Sequence, residues 1–446
     1  QLVARKHRAG LKVTIDFVPN QGARQYKSVK KPEGVKDIGE DDDTGMGFSP
    51  SNNFYYCVNT PFEPYFDLND KDGTAYSECP AKATGNDQFD NHPGINDWYE
   101  TVKLNYGVDY CDAGGRSYHF DPIPDTWQKM VDIISFWAGK GVDGFRCDMA
   151  EMVPTEFWNW AIGKVKAAYP GILFIGEVYN PSLYRSFVAC GLDYLYDKVG
   201  MYDCLCGVMR STCPASAITY QWQSVDDIKE HMLYFLENHD ELRIASDFLA
   251  GDARRGIPAA IVSVLMNSNP FMLYAGQEFG ERGMDKEGFS GLDGRTTIFD
   301  YWTVPTLYHG YVNRRKLSED EKALEKTYSL LLNMANNEKA VSNGLFFDLM
   351  YANQDGNLFN QSKQYAFLRK YANEVLLVVV NFAQEETECS VCLPHHAFEY
   401  LGIPEKTVTA SDLLSKGDTT SFELKAGSVI KMSVPGYGGK IYKFTV

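Results

Sequence analysis

The chain has 446 residues, of which 44% are hydrophobic, so it can form more than one full-sized hydrophobic core. It carries 59 acidic and 43 basic residues, a net charge of −16, and no stripe of Lys and Arg runs along it. Because proteins bind a phosphate backbone through such basic stripes, no nucleic-acid partner is expected. No run approaches the roughly 20 apolar residues of a membrane-spanning helix, so no membrane span is expected either.

Short apolar segments that end in polar residues predict the buried parallel strands of an α/β barrel. These segments are Val13–Phe17, Val142–Asp148, Ile172–Glu177, Leu233–Asp240 and Phe271–Ala275. The spacing from the second segment to the third matches one βα unit of about 31 residues, and that from the third to the fourth matches two.

Helical patterns fill the intervals between these strands. The first begins near Asp125. Its apolar residues recur at helical spacing: Trp127, Met130, Val131, Ile134 and Trp137. Two further helices are predicted over Pro154–Tyr169 and Ala253–Asn267. Strands and helices that alternate in this way are typical of a (β/α)8 TIM-type barrel.

Two other regions differ from the barrel pattern. Residues 24–120 are rich in Gly, Asn, Asp and aromatic residues, lack a sustained helical period, and are too long for a simple connection. We interpret them as an inserted subdomain. After residue 338 the pattern changes to alternation with turns, which predicts a C-terminal antiparallel β-sandwich over 339–446. The barrel then comprises residues 1–23 and 121–338.

Three acidic residues lie at the ends of three predicted barrel strands: Asp148, Glu177 and Asp240. Any one of them alone is more often a structural or solvated group than a functional one. Side chains at this rim of a barrel converge on one pocket. Three acids at the unit spacing, with Arg146 and His239 beside them, therefore indicate a shared ligand site.

The segments that carry these residues resemble those of glycoside hydrolase family 13, the α-amylase family, over about residues 1–340. The matching segments are Asp16–Gln21, Gly144–Asp148, Gly176–Glu177, Asn238–Asp240 and Gly276–Glu278. The resemblance implies a TIM-type barrel with a subdomain inserted after its third strand and a C-terminal β-sandwich. It also implies an α-glucan or maltooligosaccharide substrate.

The resemblance assigns each candidate residue a role in a retaining glycosidase. Asp148 attacks the anomeric carbon, Glu177 donates a proton to the leaving oxygen, and Asp240 binds sugar hydroxyls as the ring flattens. Arg146 precedes Asp148 by two residues on one strand, so both side chains point to the same face, where the guanidinium would keep Asp148 ionised and oriented. His239 adds a hydrogen bond to the same sugar.

The sequence departs from the family pattern near two of these segments. Gln21 stands where the family usually has His, which weakens the expected contact with the cleaved sugar. Asn20 matches a position that coordinates calcium in many members, but Glu151–Met152 stands where the best calcium-binding members have Lys-His. Calcium is therefore possible and no cofactor is required. A lysine within Asp67–Gly73 breaks the pattern of a calcium loop, which favours an Asp-Gly turn there.

These observations favour a hydrolase that cleaves α-1,4-glucosidic bonds in starch-like glucans or maltooligosaccharides by double displacement. Two alternatives stay open: a transglycosylase, which shares every residue named, and a catalytically impaired glucan-binding protein, which the substitution at Gln21 favours. The sequence does not state the compartment. The export of many bacterial starch-degrading members of the family favours a secreted, periplasmic or cell-surface location.

The first predicted strand lies close to the start of the chain, which leads to a further expectation. Leu11–Phe17 resembles the third barrel strand of the family, yet about a dozen residues precede it, whereas two complete βα units need roughly 62. We therefore expect the first two strands to belong to a longer polypeptide, with an intact mass above the 50.3 kDa of this chain. The alternative is a chain that folds as an open arc with a defective sugar pocket.

Overall fold

The computed structural model describes residues 1–446 apart from positions 32, 69–75, 286–291, 297, 299–302, 355, 357 and 416. The described residues form two compact units, Gln1–Leu195 and Tyr196–Val446. The sequence favours an Asp-Gly turn within Asp67–Gly73. Positions 69–73 of that segment lie outside the described residues.

The first unit contains a parallel sheet, helices and a long segment of short strand pairs. Its helices are α1 (Leu2–Arg8), α2 (Asp125–Gly139), α3 (Thr155–Ala168) and α4 (Tyr184–Ala189). Its strands are β1 (Thr14–Phe17), β2 (Gln21–Ala23), β3 (Tyr56–Cys57), β4 (Ala81–Lys82), β5 (Thr101–Lys103), β6 (Val108–Asp109), β7 (Ser117–Tyr118), β8 (Gly144–Cys147), β9 (Leu173–Gly176) and, ending at the unit boundary, β10 (Tyr194–Tyr196).

Four of these strands run parallel in the order β1, β8, β9, β10. Strands β8 and β9 end level with each other, since Cys147 pairs with Gly176. The next residue of each strand, Asp148 and Glu177, therefore leaves the sheet at the same edge. This is the arrangement that the strand pattern predicts, because function collects at the carboxyl ends of parallel strands.

Helix α2 buries the apolar stripe that its sequence spacing predicts, except at the last member. Trp127, Met130 and Ile134 are at most 3% exposed, whereas Trp137 is 44% exposed. Trp127 meets Phe157 of α3 edge to face, with ring centroids 5.8 Å apart. Burying an apolar side chain of this kind contributes about 1.5–3 kcal/mol, so the aromatic contact holds α2 and α3 together.

The segment between β2 and α2 contains no α-helix among its described residues, in agreement with its lack of a helical period. Its regular structure consists of short antiparallel pairs: β2 with β5, β3 with β4, and β6 with β7. Because these β-ladders are short, side-chain contacts stabilise the segment. Arg24, for example, pairs with Glu78 at 2.7 Å with both side chains buried, and donates to the carbonyl of Lys82 at 3.0 Å.

The second unit combines helices and one parallel strand pair with antiparallel sheets. Its helices are α5 (Asp203–Met209), α6 (Ala217–Ser224), α7 (Ile257–Leu265), α8 (Pro305–Tyr311), α9 (Glu319–Asn337), α10 (Lys339–Ser342) and α11 (His395–Leu401). Its strands are β11 (Met232–Phe235), β12 (Phe271–Met272), β13 (Leu345–Asp348), β14 (Gln364–Tyr371), β15 (Glu374–Asn381), β16 (Thr387–Cys392), β17 (Lys406–Asp412), β18 (Thr419–Leu424), β19 (Val429–Val434) and β20 (Gly438–Thr445).

Strand β11 pairs parallel with β12 and is shorter than the sequence predicts. It ends at Phe235 rather than at Asp240. The cause is Asn238, whose Oδ1 accepts the backbone N–H groups of Asp240 and Glu241, both at 2.9 Å. Such a side-chain bond to the following backbone competes with the strand and turns the chain.

The C-terminal part of the second unit forms two antiparallel sheets. The larger has the order β13, β14, β15, β20, β17, β18, and the smaller pairs β16 with β19. Every residue of β15 after Glu374 is buried, as are the first six residues of β14. Among the described residues, no helix is long and apolar enough to span a membrane.

Candidate active site

Arg146 lies at the centre of a cluster in the first unit, where three carboxylates surround its guanidinium. The register of β1 and β8 places Asp16 beside Arg146. Nη1 lies 2.5 Å from Oδ1 of Asp148 and 3.1 Å from Oδ1 of Asp16, and Nη2 lies 2.9 Å from Oε2 of Glu177. One guanidinium thus draws the two strand-end carboxylates together through charge-assisted contacts.

The two oxygens of Glu177 have different partners. The side chain is 3% exposed. Oε2 accepts the backbone N–H of Met149 at 2.8 Å and faces Nη2 of Arg146, while Oε1 accepts the hydroxyl of Tyr179 at 2.8 Å. Amide and guanidinium groups only donate hydrogen bonds, but a phenol hydroxyl can also accept one. A proton on this carboxyl group is therefore compatible with Oε1 and not with Oε2.

Met149 reaches Glu177 through an unusual backbone conformation. It has a φ of 44°, in the left-handed region that non-glycine residues seldom adopt and that costs of order 1–3 kcal/mol. Neighbouring backbone bonds hold it there: Asp148 N–H donates to the carbonyl of Phe17 at 2.9 Å, and Ala150 N–H donates to that of Glu177 at 3.0 Å. The turn after β8 is thereby tied to the strands on both sides.

Glu151 links the segment after β8 to the segment after β9. Its Oε2 accepts the backbone N–H groups of Tyr179 and Asn180 at 3.1 and 3.0 Å. The same side chain therefore fixes the backbone from which the Tyr179 hydroxyl reaches Glu177. The residue that replaces a family lysine in the sequence is here a positioning group for the acid cluster.

The surroundings of Asp148 act on its pKa in opposite directions. Burial raises the pKa of Asp148, the Arg146 charge and hydrogen bond lower it, and the negative charges of Glu177 and Asp16 raise it again. The net direction is upward. Asp148 is thus an aspartate whose ionised form depends on Arg146, since three negative groups share a single positive one.

The second unit contains two of the predicted site residues, His239 and Asp240. Nε2 of His239 lies 3.2 Å from Oδ2 of Asp240, and the Asp240 carboxylate is 43% exposed. The turn formed by Asn238 presents this pair, because its side chain fixes the Asp240 backbone. The geometry therefore leaves an accessible carboxylate with an imidazole beside it.

A second arginine lies under this turn. Nη1 of Arg243 contacts Oε2 of Glu237 at 2.7 Å, with both side chains buried, and the guanidinium lies 3.9 Å from the ring centroid of Tyr274. Nη2 donates to the carbonyl of Ala275 at 2.9 Å, just after β12. Burial raises the pKa of Glu237 and Arg243 opposes it. Removing one partner of such a buried pair costs about 3–5 kcal/mol.

A family model described as the alpha-amylase catalytic domain matches residues 1–341. The chain belongs to the α-amylase family. It is accordingly of the glycoside hydrolase type, and its parallel strands and C-terminal antiparallel sheets are consistent with the TIM-type barrel and C-terminal β-domain that the sequence predicts. This confirms the resemblance from which the roles of the acids were inferred.

Curated relatives of this α-amylase family member match over parts of their length. Alpha-amylase MalA of Haloarcula japonica is 34% identical over 173 residues, which are 37% of this chain and 24% of MalA. The alpha-1,4-glucan:maltose-1-phosphate maltosyltransferase of Cereibacter sphaeroides is 31% identical over 112 residues, which are 24% of this chain and 19% of that protein. The chain thus spans less than a quarter of either relative.

Solved α-amylases share the fold of this family member over its whole length. The crystal structure of the α-amylase from Geobacillus thermoleovorans complexed with acarbose aligns with 99% of this chain. The alignment includes 79% of the Geobacillus chain, with a TM-score of 0.64 and 17% sequence identity. The α-amylase from H. orenii covers 100% and 82%, with a TM-score of 0.62 and 18% identity. At such identities the likeness establishes the fold.

Within the family pattern, Gln21 and Asn20 contact each other. Nδ2 of Asn20 donates to Oε1 of Gln21 at 2.5 Å and to the carbonyl of Gly85 at 2.8 Å. Gln21 is half-buried at the start of β2, next to the end of β1. Its side-chain carbonyl is therefore already used, which leaves its NH2 group as the part that can bind a sugar.

The structure also tests whether Asn20 suits calcium. Its one side-chain oxygen, Oδ1, accepts Nζ of Lys103 at 3.0 Å. Calcium requires about 6–8 oxygen ligands, and the described residues contain no group of three or more His, Cys, Asp or Glu side chains that could hold a metal ion. The side chains around Asn20, as arranged, do not fit a calcium ion.

Sequence reasoning missed three groups that the structure brings together here, Tyr179, Arg243 and Lys103, and it named Glu151 only as a departure from the family pattern. Tyr179 follows the third predicted strand, where a tyrosine two residues after Glu177 points to the same side of an extended chain. That spacing is a usable signal. The contacts of Glu151, Arg243 and Lys103 cannot be predicted from a local sequence pattern.

Proposed function

We propose that this α-amylase family member hydrolyses α-1,4-glucosidic bonds in starch-like glucans and maltooligosaccharides, with retention of configuration by double displacement. The observation that carries the proposal is the Arg146 cluster. A retaining enzyme needs two carboxyl groups about 5–5.5 Å apart, one to attack and one to donate a proton. Asp148 and Glu177 bind neighbouring nitrogens of one guanidinium, which supports that pairing.

The reaction has two steps. First, the Asp148 carboxylate attacks the anomeric carbon, the bond to the leaving oxygen breaks, and the proton of Glu177 passes to that oxygen. Second, Glu177, now ionised, takes a proton from water, whose oxygen attacks the same carbon and releases Asp148. Each step inverts the carbon, so the product keeps the original configuration.

The contacts of Glu177 determine which of its two oxygens would carry the proton in the proposed role. Oε2 faces donors only, so the transferable proton belongs on Oε1, beside the Tyr179 hydroxyl. That hydroxyl donates to the ionised carboxylate and can accept from the acid, so it serves both steps. Asp148 acts in its ionised form, which the contact with Arg146 favours.

Asp240 and His239 complete the proposal as substrate-binding groups. An exposed carboxylate beside an imidazole offers acceptors and a donor to vicinal sugar hydroxyls, and these bonds strengthen as the ring flattens. Gln21 is proposed to contribute its NH2 group to substrate binding. Every proton and charge in the two steps is assigned to a side chain, so the proposed reaction uses no cofactor.

Digestion of maltoheptaose tests the proposal. We expect only shorter maltooligosaccharides, and proton NMR of the first products should show the α-anomer before mutarotation. Initial release of the β-anomer would contradict double displacement, and the absence of any product would favour a glucan-binding protein.

A transglycosylase is the second candidate, favoured by the similarity to the maltosyltransferase of Cereibacter sphaeroides. It would use the same intermediate but deliver it to a sugar hydroxyl instead of water. Products longer than maltoheptaose at high substrate concentration would identify it. The α-anomer is expected in both cases, so chain length decides between them.

A further inference from the structure

Lys103 lies at the end of β5 with its charged group sealed inside the first unit. Its side chain is 2% exposed. Nζ lies 2.5 Å from Oδ1 of Asp87 and donates to Oδ1 of Asn20 at 3.0 Å, and the ring centroid of Tyr110 is 5.3 Å away. A buried ammonium is costly unless charged and polar groups surround it, and here they do.

The ammonium joins three segments that are distant in the sequence. Asn20 follows β1, Asp87 lies in the loop between β4 and β5, and Lys103 itself pairs with Gln21 in the β2–β5 ladder. The same loop is tied to Asn20 a second time, through the carbonyl of Gly85 at 2.8 Å. The position of Asn20 and Gln21 therefore depends on contacts centred on the Lys103 ammonium.

The loop presents its carboxylate by a conformation that has little freedom. Asp87 has a φ of 68°, which an Asp tolerates better than most residues. Thr84 closes the loop from both sides: its N–H donates to the carbonyl of Gln88 at 3.0 Å, and its carbonyl accepts the N–H of Asp87 at 3.1 Å. The carboxylate is thereby directed towards Lys103.

We propose that the Lys103 ammonium is a built-in cation, which does here what a bound calcium ion does at the matching position of other family members, so that this region is stable without calcium. The oxygen of Asn20 and the carboxylate of Asp87 are the kinds of ligand that calcium takes. In this chain a side chain supplies the positive charge instead. The cation is covalently attached and cannot be removed by chelation.

The charge balance supports this assignment. Burial lowers the pKa of Lys103 overall, and the Asp87 charge opposes that shift, so the contact with Asp87 is what favours the charged ammonium. Removing Lys103 leaves a carboxylate and a buried amide oxygen without their partner. A small residue at position 103 also leaves room, and a cation from solution can then occupy the place of the ammonium.

The first test compares the purified full chain with and without a chelator, using the melting temperature from circular dichroism and the bound calcium from elemental analysis. We expect the same melting temperature with excess EDTA and with millimolar calcium chloride. A melting temperature that falls with EDTA and is restored by calcium would overturn the proposal if Asn20→Ala abolishes that response.

The second test uses two matched variants, Lys103→Ala, which leaves space, and Lys103→Met, which fills it without charge. Both should melt below the wild type. Calcium chloride should raise the melting temperature of Lys103→Ala only, while sodium chloride at equal ionic strength should not. No calcium gain in Lys103→Ala, or an equal gain in Lys103→Met, would overturn the proposal.

A third comparison covers the case in which Lys103→Ala does not fold. Asp87→Asn leaves the ammonium without its counter-charge, and the double variant Lys103→Met with Asp87→Asn removes both charges. We expect the double variant to melt above Asp87→Asn, because no buried charge is left unpaired. A double variant that loses the sum of the two single effects would show that the charge is not what holds the segments together.

Discussion

The clusters of Arg146 and Lys103 lie in the same unit, and each holds side chains together through one positive charge. Around Arg146 three carboxylates share that charge, and Asp16 and Asp148 stay 54% and 18% exposed. Around Lys103 one carboxylate, that of Asp87, balances one ammonium; Lys103 and Asn20 are buried, and Asp87 is 33% exposed. Surplus negative charge suits a reaction centre, whereas a balanced ion pair suits a structural contact.

The difference between the two clusters also explains why one contains an arginine and the other a lysine. A guanidinium is a planar fork that can bind two carboxylates through separate nitrogens, as Arg146 binds Asp148 and Glu177. An ammonium is a compact point charge, which suits the small space between Asp87 and Asn20. Exchanging the two residue types would leave each cluster with the wrong geometry.

The largest expected effect falls on the carboxylates of the Arg146 cluster. Asp148→Asn and Glu177→Gln should each reduce turnover on maltooligosaccharides by at least about a thousandfold, because each removes a covalent or proton-transfer role. Glucan affinity, measured by isothermal titration calorimetry, should persist. Asp16→Asn, which touches Arg146 from the exposed side, is the matched control and should lose far less. Turnover that survives in either main variant would refute the assignment.

The next prediction contrasts the two cations directly. Arg146→Met should lower turnover by about a hundredfold, whereas Lys103→Met should lower the melting temperature with little change in turnover well below it. Arg146 lowers the pKa of Asp148 against the effect of burial, so its loss raises that pKa further. Asp148 must be ionised to attack, so the acid limb of the kcat/KM profile should move to higher pH in Arg146→Met. An acid limb that lies at the same pH in Arg146→Met and in the wild type would contradict this prediction.

A smaller effect is expected from Glu151, which positions the Tyr179 backbone. Glu151→Ala removes both bonds of its carboxylate and should reduce kcat by about tenfold, since small displacements near the reacting groups are costly. Glu151→Gln keeps an acceptor oxygen and should retain most of the activity. Steady-state kinetics of the pair measure this, and equal losses in both would show that the charge rather than the hydrogen bonds matters.

The smallest effect is expected at Gln21. Gln21→His should change KM for maltooligosaccharides by a few-fold and the melting temperature hardly at all, because the residue is half-buried and its side chain accepts a hydrogen bond from Asn20. A large loss of stability with unchanged KM would mean that Gln21 belongs to the Lys103 region rather than to the sugar site.

The Arg146–Asp148 contact could be predicted from the sequence because a strand repeats every two residues, so both side chains face one way whatever the fold around them. The strand predicted over Leu233–Asp240 was too long, because Leu236 continues the apolar run past Phe235 while the Asn238 side chain turns the chain. Lys103 was missed since its partner Asn20 is 83 positions away. Such a contact exists only after both segments have folded.

The pairing of Asp16 with Arg146 has a consequence for how the gene can change. Alternate residues of a strand point to opposite faces, so the insertion or loss of one codon within β8 would turn Arg146 away from Asp16 and bring a neighbouring side chain in its place. A substitution in β8 alters the contacts of one residue, whereas an insertion or deletion alters the contacts of every residue that follows it in the strand. Natural variation in this family member should therefore conserve the number of residues in Gly144–Cys147.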